Sequence, residues 1–211
     1  MNYIFLGPPG VGKGTAAQKL ALTESIPHIS TGDIFREAVR GETALGEEVR
    51  TIVRRGDLVP DEITVRLVRE RLARDDARGG FILDGFPRTL AQARALDGFA
   101  RIDAVVFFDL AESEIIRRLS GRRICGSCGR IYHIEDIPPR RPDVCDACGG
   151  ALVQREDDRL ESIAKRLALF RELTEPLISH YEKGGLLMRV DSSGSPHETF
   201  AQVTAHLHDE R

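Results

Sequence analysis

The chain has 211 residues, 41% of them hydrophobic and 30% charged, with a formal net charge of -3. A chain of this length suits one α/β domain with insertions, or at most two small domains, and buries enough surface to need no disulfide scaffold. Its mildly acidic balance argues against a polyanion-binding protein, so any anion site has to be a local cluster. Met1-Asn2-Tyr3 runs directly into Ile4-Phe5-Leu6, an apolar run too short for a secretory leader, and no stretch approaches the roughly 18 apolar residues that cross a bilayer. A cytoplasmic location is expected, and four cysteines spaced as a metal site agree with a reducing compartment.

Asn2–Leu6 reads as a short buried strand ended by a Gly/Pro cluster. Lys13–Glu24 follows as a helix, with Ala16, Ala17, Leu20 and Ala21 at helical spacing. Pro27–Ser30 reads as a second strand and Thr31-Gly32-Asp33 as a helix start. Helical patterns cover Ala44–Arg54 and Asp61–Arg74, broken by Gly56-Asp57-Leu58-Val59-Pro60. Gly80–Asp84 is an apolar strand leading into Gly85-Phe86-Pro87-Arg88, and Ala104–Leu110 is the most strand-like run of the chain. From Gly121 to Asp158 Gly, Pro, Cys and charged residues replace helical periodicity, as in a small inserted domain. A long helix is expected over Arg159–Lys183 with a bend near Pro176, then a strand at Leu187–Val190 and a helix after Pro196. Strands alternating with helices predict βαβ units and a parallel sheet covered on both faces.

Gly7-Pro8-Pro9-Gly10-Val11-Gly12-Lys13-Gly14-Thr15 lies between the first strand and the first helix. Backbone N–H groups can converge on phosphate oxygens only where side chains are absent and unusual φ angles are allowed, which calls for glycine. The loop then delivers the phosphates to a helix N-terminus, where open N–H groups and the dipole favour anions. Lys13 would bridge the β- and γ-phosphates. The general P-loop pattern has Ser or Thr directly after the lysine; here Gly14 takes that place and Thr15 follows. Such a loop specifies a nucleoside triphosphate and leaves the reaction open.

Cys125-x-x-Cys128 and Cys145-x-x-Cys148 have the spacing of a four-thiolate zinc site. Two such knuckles close a tetrahedron, so the metal would be structural, and its binding would supply folding free energy to a segment with a thin core. Disulfides and free thiols are the alternatives, and spacing leaves iron open beside zinc. His133 reads as a packing or surface residue, since four thiolates already complete the site.

Taken in order, these motifs resemble the adenylate kinase family, in which Gly-Lys-Gly-Thr is the usual loop. The resemblance covers essentially the whole chain: Thr31-Gly32-Asp33 with Arg36, Gly56 through Asp61, Asp84 through Thr89, Gly121-Arg122-Arg123, Arg155 with Asp157-Asp158, and Arg166. It implies a P-loop three-layer α/β fold with a five-stranded parallel sheet, built from residues 1–29, 60–120 and 159–211. A monophosphate-binding insertion at 30–59 and a zinc-bearing lid at 121–158 would close over the site. Gly10 to Thr15 would hold the ATP phosphates, with Arg122, Ile131 and Tyr132 on the lid side of ATP. AMP would meet Thr31, Arg36, Asp57, Leu58, Val59, Gly85, Phe86, Pro87, Arg88 and Gln92. Arg155 and Arg166 would reach the transferring phosphoryl group, and Asp84 would position Mg²⁺ through its waters.

Physical chemistry agrees, because phosphoryl transfer needs alignment and charge neutralisation more than covalent help. Lys13 with Arg36, Arg88, Arg122, Arg123, Arg155 and Arg166 would form a positive cage, with arginine's planar fork suited to phosphate oxygens. Arg54, Arg55, Arg69, Arg71 and Arg74 read instead as solvated helix positions. Thr31 and Gln92 favour adenine in the acceptor, unless they serve as helix caps. The resemblance also implies a monomer. Two other readings are a kinase taking CMP, UMP or GMP, and a zinc-ribbon nucleic-acid-binding protein. The latter predicts a basic, aromatic-rich surface at the knuckles, whereas Tyr132 stands beside Glu135, Asp136, Asp143 and Asp146.

Overall fold

The computed structural model describes residues 1–41, 44–54 and 57–209. Arg55 and Gly56, singled out in the sequence, lie outside the described residues. β1 (Asn2–Leu6) sits at the centre of a five-stranded parallel sheet of order β2-β3-β1-β4-β8. It pairs with β3 (Phe81–Asp84) on one side and β4 (Ala104–Asp109) on the other, with β2 (His28–Ser30) and β8 (Leu187–Asp191) at the edges. These strands are nearly continuous apolar runs because both faces are covered. Tyr3, Phe5, Val106 and Phe108 pack on Ala16, Ala17 and Leu20 of α1 (Lys13–Glu24), with Ile115 and Leu119 of α6 (Glu112–Gly121) in the same cluster. Their chain neighbours Ile4, Leu6, Val105 and Phe107 join the opposite core, with Val68 of α4 (Asp61–Leu72) and Ala93 and Leu96 of α5 (Leu90–Asp97). Each fully buried side chain of this size contributes roughly 1.5–3 kcal/mol.

Two small clusters stand apart from these cores. Phe35, Val49 and Val59 form one, between α2 (Thr31–Arg40), α3 (Ala44–Arg54) and Ile63 and Leu67 of α4. Ser30, rather than Thr31, caps α2 by accepting a hydrogen bond from the Asp33 amide at 3.3 Å. The other cluster is Cys125, Tyr132, Cys145 and Leu152. It belongs to an antiparallel sheet of β6 (Ile131–His133), β5 (Arg122–Cys125) and β7 (Leu152–Val153). A side chain at Gly121, where α6 passes into β5, would run into the His133 imidazole. His133 is buried there, its Nδ1 accepting from the Glu135 and Asp136 amides at 3.2 and 3.1 Å.

The expected long helix is divided. α7 (Leu160–Leu169) is followed by a π-helical turn at Phe170–Thr174 and then by α8 (Pro176–Lys183). Pro176 has no N–H to give, and its ring would clash with the carbonyl four residues back; the wider turn, in which the Glu175 amide donates to Phe170 O at 2.8 Å, relieves that clash. α9 (Pro196–Asp209) closes the chain against α1. Of the helical arginines read as solvated, Arg71 pairs with Asp76 and Arg69 lies over the Phe99 ring. The Arg54 side chain is outside the described residues.

Candidate active site

Because β1 and β3 are neighbours in register, with Phe5 opposite Asp84, the loops leaving their C-terminal ends share one crevice, the usual ligand position of open α/β sheets. A cavity of about 900 Å³ opens there. Its floor is the Gly7–Thr15 loop. Gly10 has φ +86, and a Cβ on it would lie 2.7 Å from the Leu119 side chain, so this turn is closed to other residues. No side chain caps the start of α1 and no acidic residue stands in its first turn. The first-turn N–H groups are therefore left for an anion.

Lys13 folds back over its own loop, its Nζ donating to Gly7 O at 2.8 Å and Pro8 O at 2.7 Å. Enclosure lowers its ammonium pKa to about 8; the Asp84 charge opposes that effect, and Arg88, Arg166 and Arg122 add to it. Asp84 stands across the cleft. Burial alone would raise its pKa, but a 3.2 Å hydrogen bond with His28 Nε2 and the charge of Lys13 outweigh burial and keep it below the ordinary carboxylate range. Gly85, at φ +77, is pinned between Thr31, whose hydroxyl donates to Gly85 O at 2.9 Å, and Arg88, whose Nε donates to the same oxygen at 2.8 Å. The Phe86–Pro87 peptide is cis.

The arginines are held by carboxylates of their own. Asp158, fully buried, takes both Nε and Nη2 of Arg122 at 2.8 and 2.6 Å. Asp157 receives Arg155 at 2.8 and 2.7 Å and Arg166 at 3.1 Å. Arg36 is paired with Asp33 at 2.5 Å. The supply of negative charge falls short, however. Among the described residues the cavity is lined by nine lysines and arginines against six carboxylates, in a protein of net charge -3. Arg166 is brought down to about 10 by burial, with Asp157 opposing and Arg122 and Arg155 adding their repulsion. Arg88 and Arg36 are lowered for the same leading reason. Cations pressed together at this cost form a site that an anion would relieve.

Of the residues expected around the nucleotides, Gly10, Gly12 to Thr15, Thr31, Arg36, Asp57, Leu58, Val59, Asp84, Gly85, Pro87, Arg88, Gln92, Arg122, Ile131, Tyr132, Arg155 and Arg166 all line this cavity. The Val11 and Phe86 side chains turn into the two cores instead. The Asp57 carboxylate is occupied by Lys165 at 2.6 Å. Neither Thr31 nor Gln92 is a helix cap: Thr89 caps α5. The Gln92 amide accepts from the Arg88 amide at 2.7 Å and donates to Asp61 at 2.6 Å. Arg123 is not a member of the cage, since its Nη1 donates to Ser120 O and Arg122 O at the end of α6.

Several lining residues have no signature in the sequence. His28 reaches Asp84 because β2 and β3 pair in the register Ser30 opposite Asp84, and a three-residue strand does not announce its register. Arg118 with Ser193, Gly194, Ser195 and Pro196 closes the side of the cavity beside the phosphate loop. Phe170 and Thr174 enter from the π-helical turn, where the Thr174 hydroxyl donates to Arg88 O at 2.9 Å.

The four cysteine sulfurs lie within 4.8 Å of one another, with Cys125–Cys148 at 3.4 Å and Cys128–Cys145 at 3.6 Å. Those separations are too long for disulfides. They are close to the ~3.8 Å edge of a tetrahedron with metal–sulfur bonds of about 2.3 Å, so the set fits a four-coordinate ion. Tyr132 hydroxyl, 3.4 Å from Cys145 Sγ, leads the groups that hold that thiol down to about 6. No helix among the described residues is long and apolar enough to cross a membrane.

The family model for adenylate kinase matches residues 5–186. The adenylate kinase of Treponema denticola is 50% identical over 201 residues, covering 95% of this chain and 96% of that protein. Those of Thermosipho africanus and Clostridium tetani are 50% and 46% identical, covering 92% and 97% of this chain and the same shares of their own. With that similarity running through the phosphate loop, the arginine-lined cleft and the cysteine segment alike, the chain belongs to the adenylate kinase family and is a phosphotransferase.

Proposed function

We propose that the chain carries out the reversible, Mg²⁺-dependent transfer of the γ-phosphoryl group of ATP to AMP, giving two ADP. The observation that carries this reading is a single cavity in which Lys13, Asp84 and the arginines 88, 122, 155 and 166 converge. An oxygen of the AMP phosphate attacks the γ-phosphorus. The bond from that phosphorus to the bridging oxygen breaks, and the departing ADP keeps the electron pair. Mg²⁺ carried in with ATP neutralises charge on the phosphate oxygens. Gly10 to Thr15 hold the triphosphate, Arg36 and Arg88 the acceptor phosphate, and Arg122, Arg155 and Arg166 exchange their aspartates for the oxygens in transit. Asp84, kept ionised beside His28, would hold the Mg²⁺ that arrives with ATP. Segments 30–59 and 121–158 close over the substrates and keep water from competing.

Thr31 and Gln92 on the acceptor wall support adenine over the other bases. The four sulfurs would hold structural zinc, and the enzyme is read as a cytoplasmic monomer that acts on ATP, AMP and ADP. The test is transfer from Mg-ATP to AMP, CMP, UMP or GMP, for wild type and Arg88→Ala. AMP is the expected acceptor, with transfer falling about 10²–10³-fold in the variant. Preference for another monophosphate would overturn the base assignment and keep the chemistry. Transfer to none of the four would sink the reading.

A further inference from the structure

Tyr132 lines the nucleotide cavity, yet most of its side chain is turned to the cysteine knuckles. The residue is 2% exposed and packs with Cys125, Cys145 and Leu152, with the Arg130 guanidinium over its ring at 5.8 Å. Its hydroxyl accepts a 2.8 Å hydrogen bond from the Asp146 amide. That amide belongs to the residue after Cys145, so the knuckle itself fixes the phenol oxygen. Cys145 Sγ lies 3.4 Å away, and as a metal-bound thiolate it has no hydrogen to give, so the phenolic hydrogen is the one shared between them. We infer that Tyr132 is a positioning residue of the four-cysteine metal site, its hydroxyl donating to the Cys145 thiolate and fixing that ligand's direction. The inference rests on the metal reading proposed above.

Groups of this kind around a metal orient the ligands and withdraw charge from them, and their removal costs about 10–100-fold in metal affinity. Here the same residue sits on β6, between Ile131 and His133, both of which line the nucleotide cleft. One side chain thus ties the metal to the strand that forms the donor side of the cleft.

Cobalt(II) serves as the probe, because sulfur-to-metal charge-transfer absorption reports the electron richness of each thiolate. Wild type, Tyr132→Phe and Tyr181→Phe are to be loaded with cobalt and compared. Tyr181 is the control, a buried hydroxyl in the main core with no hydrogen-bond partner. In Tyr132→Phe the band is expected to move to longer wavelength, and chelator competition should show cobalt and zinc held about 10-fold more weakly or worse. The metal-free melting temperature should stay at the wild-type value, and Tyr181→Phe should leave band and affinity unchanged. An unshifted band with wild-type affinity in Tyr132→Phe overturns the inference alone. So does an unshifted band with a lowered metal-free melting temperature, which would make the hydroxyl a packing element only. Absence of any thiolate band in wild type would instead overturn the metal reading, and the inference with it.

Discussion

A Lys13→Met variant is expected to lose phosphoryl transfer by about 10²–10³-fold, the scale for removing one aimed charge from a transition state. Methionine keeps the length of the stem and drops the ammonium. In the free protein that ammonium is costly, since enclosure holds its pKa to about 8. Folding should therefore survive the change, and melting temperature is the control. The same shift gives a pH signature. Phosphates beside Lys13 favour its charged form and raise its pKa, so ATP binding takes up protons at pH values above about 8. The sign follows: affinity is level below that pH and falls as pH rises through the window between the free and bound values. Calorimetric titration in buffers of different ionisation enthalpy measures the uptake, and Lys13→Met should abolish it. Buffer-independent heats in wild type at pH 8.5–9 would show that Lys13 does not meet the phosphates.

The second large effect concerns the cysteine segment. Chelation of the metal proposed at its four sulfurs is expected to erase amide-exchange protection across 122–153 while the main sheet keeps its own. The described core of the segment is Cys125, Tyr132, Cys145 and Leu152. Burial of a few such side chains, at roughly 1.5–3 kcal/mol each, cannot offset a backbone ordering cost of about 1–2 kcal/mol per residue over the whole segment. Metal binding by four thiolates, on the order of 10–16 kcal/mol in small zinc domains, is of the size required. Exchange mass spectrometry before and after chelation decides the matter. Full protection in the metal-free protein would mean that the small antiparallel sheet stands without the ion.

The sequence was informative where one residue type answers to one physical demand. Gly10 and Lys13 in the phosphate loop, the continuous apolar runs of β1 and β4, and the paired cysteines are of this kind, and each could be read locally. What stayed hidden depends on contacts between distant segments. His28 becomes a partner of Asp84 only through the pairing of β2 with β3. Ser193 to Pro196 join the cleft because β8 ends beside the phosphate loop. Pro176 predicted a bend, but the compensation in the turn before it required the surrounding packing. Arg122 and Arg123 are adjacent and chemically alike, yet strand alternation sends one to Asp158 in the cleft and the other to the end of α6.

The small antiparallel sheet also fixes how its segment is attached. β5 leaves the main body and β7 returns to it, and the two are paired directly, Ile124 with Val153 and Cys125 with Leu152. Entry and exit are therefore one interstrand spacing apart, about 5 Å. A segment joined in this way behaves as a cassette. A longer or shorter segment could be exchanged for it without rethreading a strand of the parallel sheet. The parent fold registers such an exchange only as a longer or shorter closed loop, whose entropy grows with the logarithm of its length.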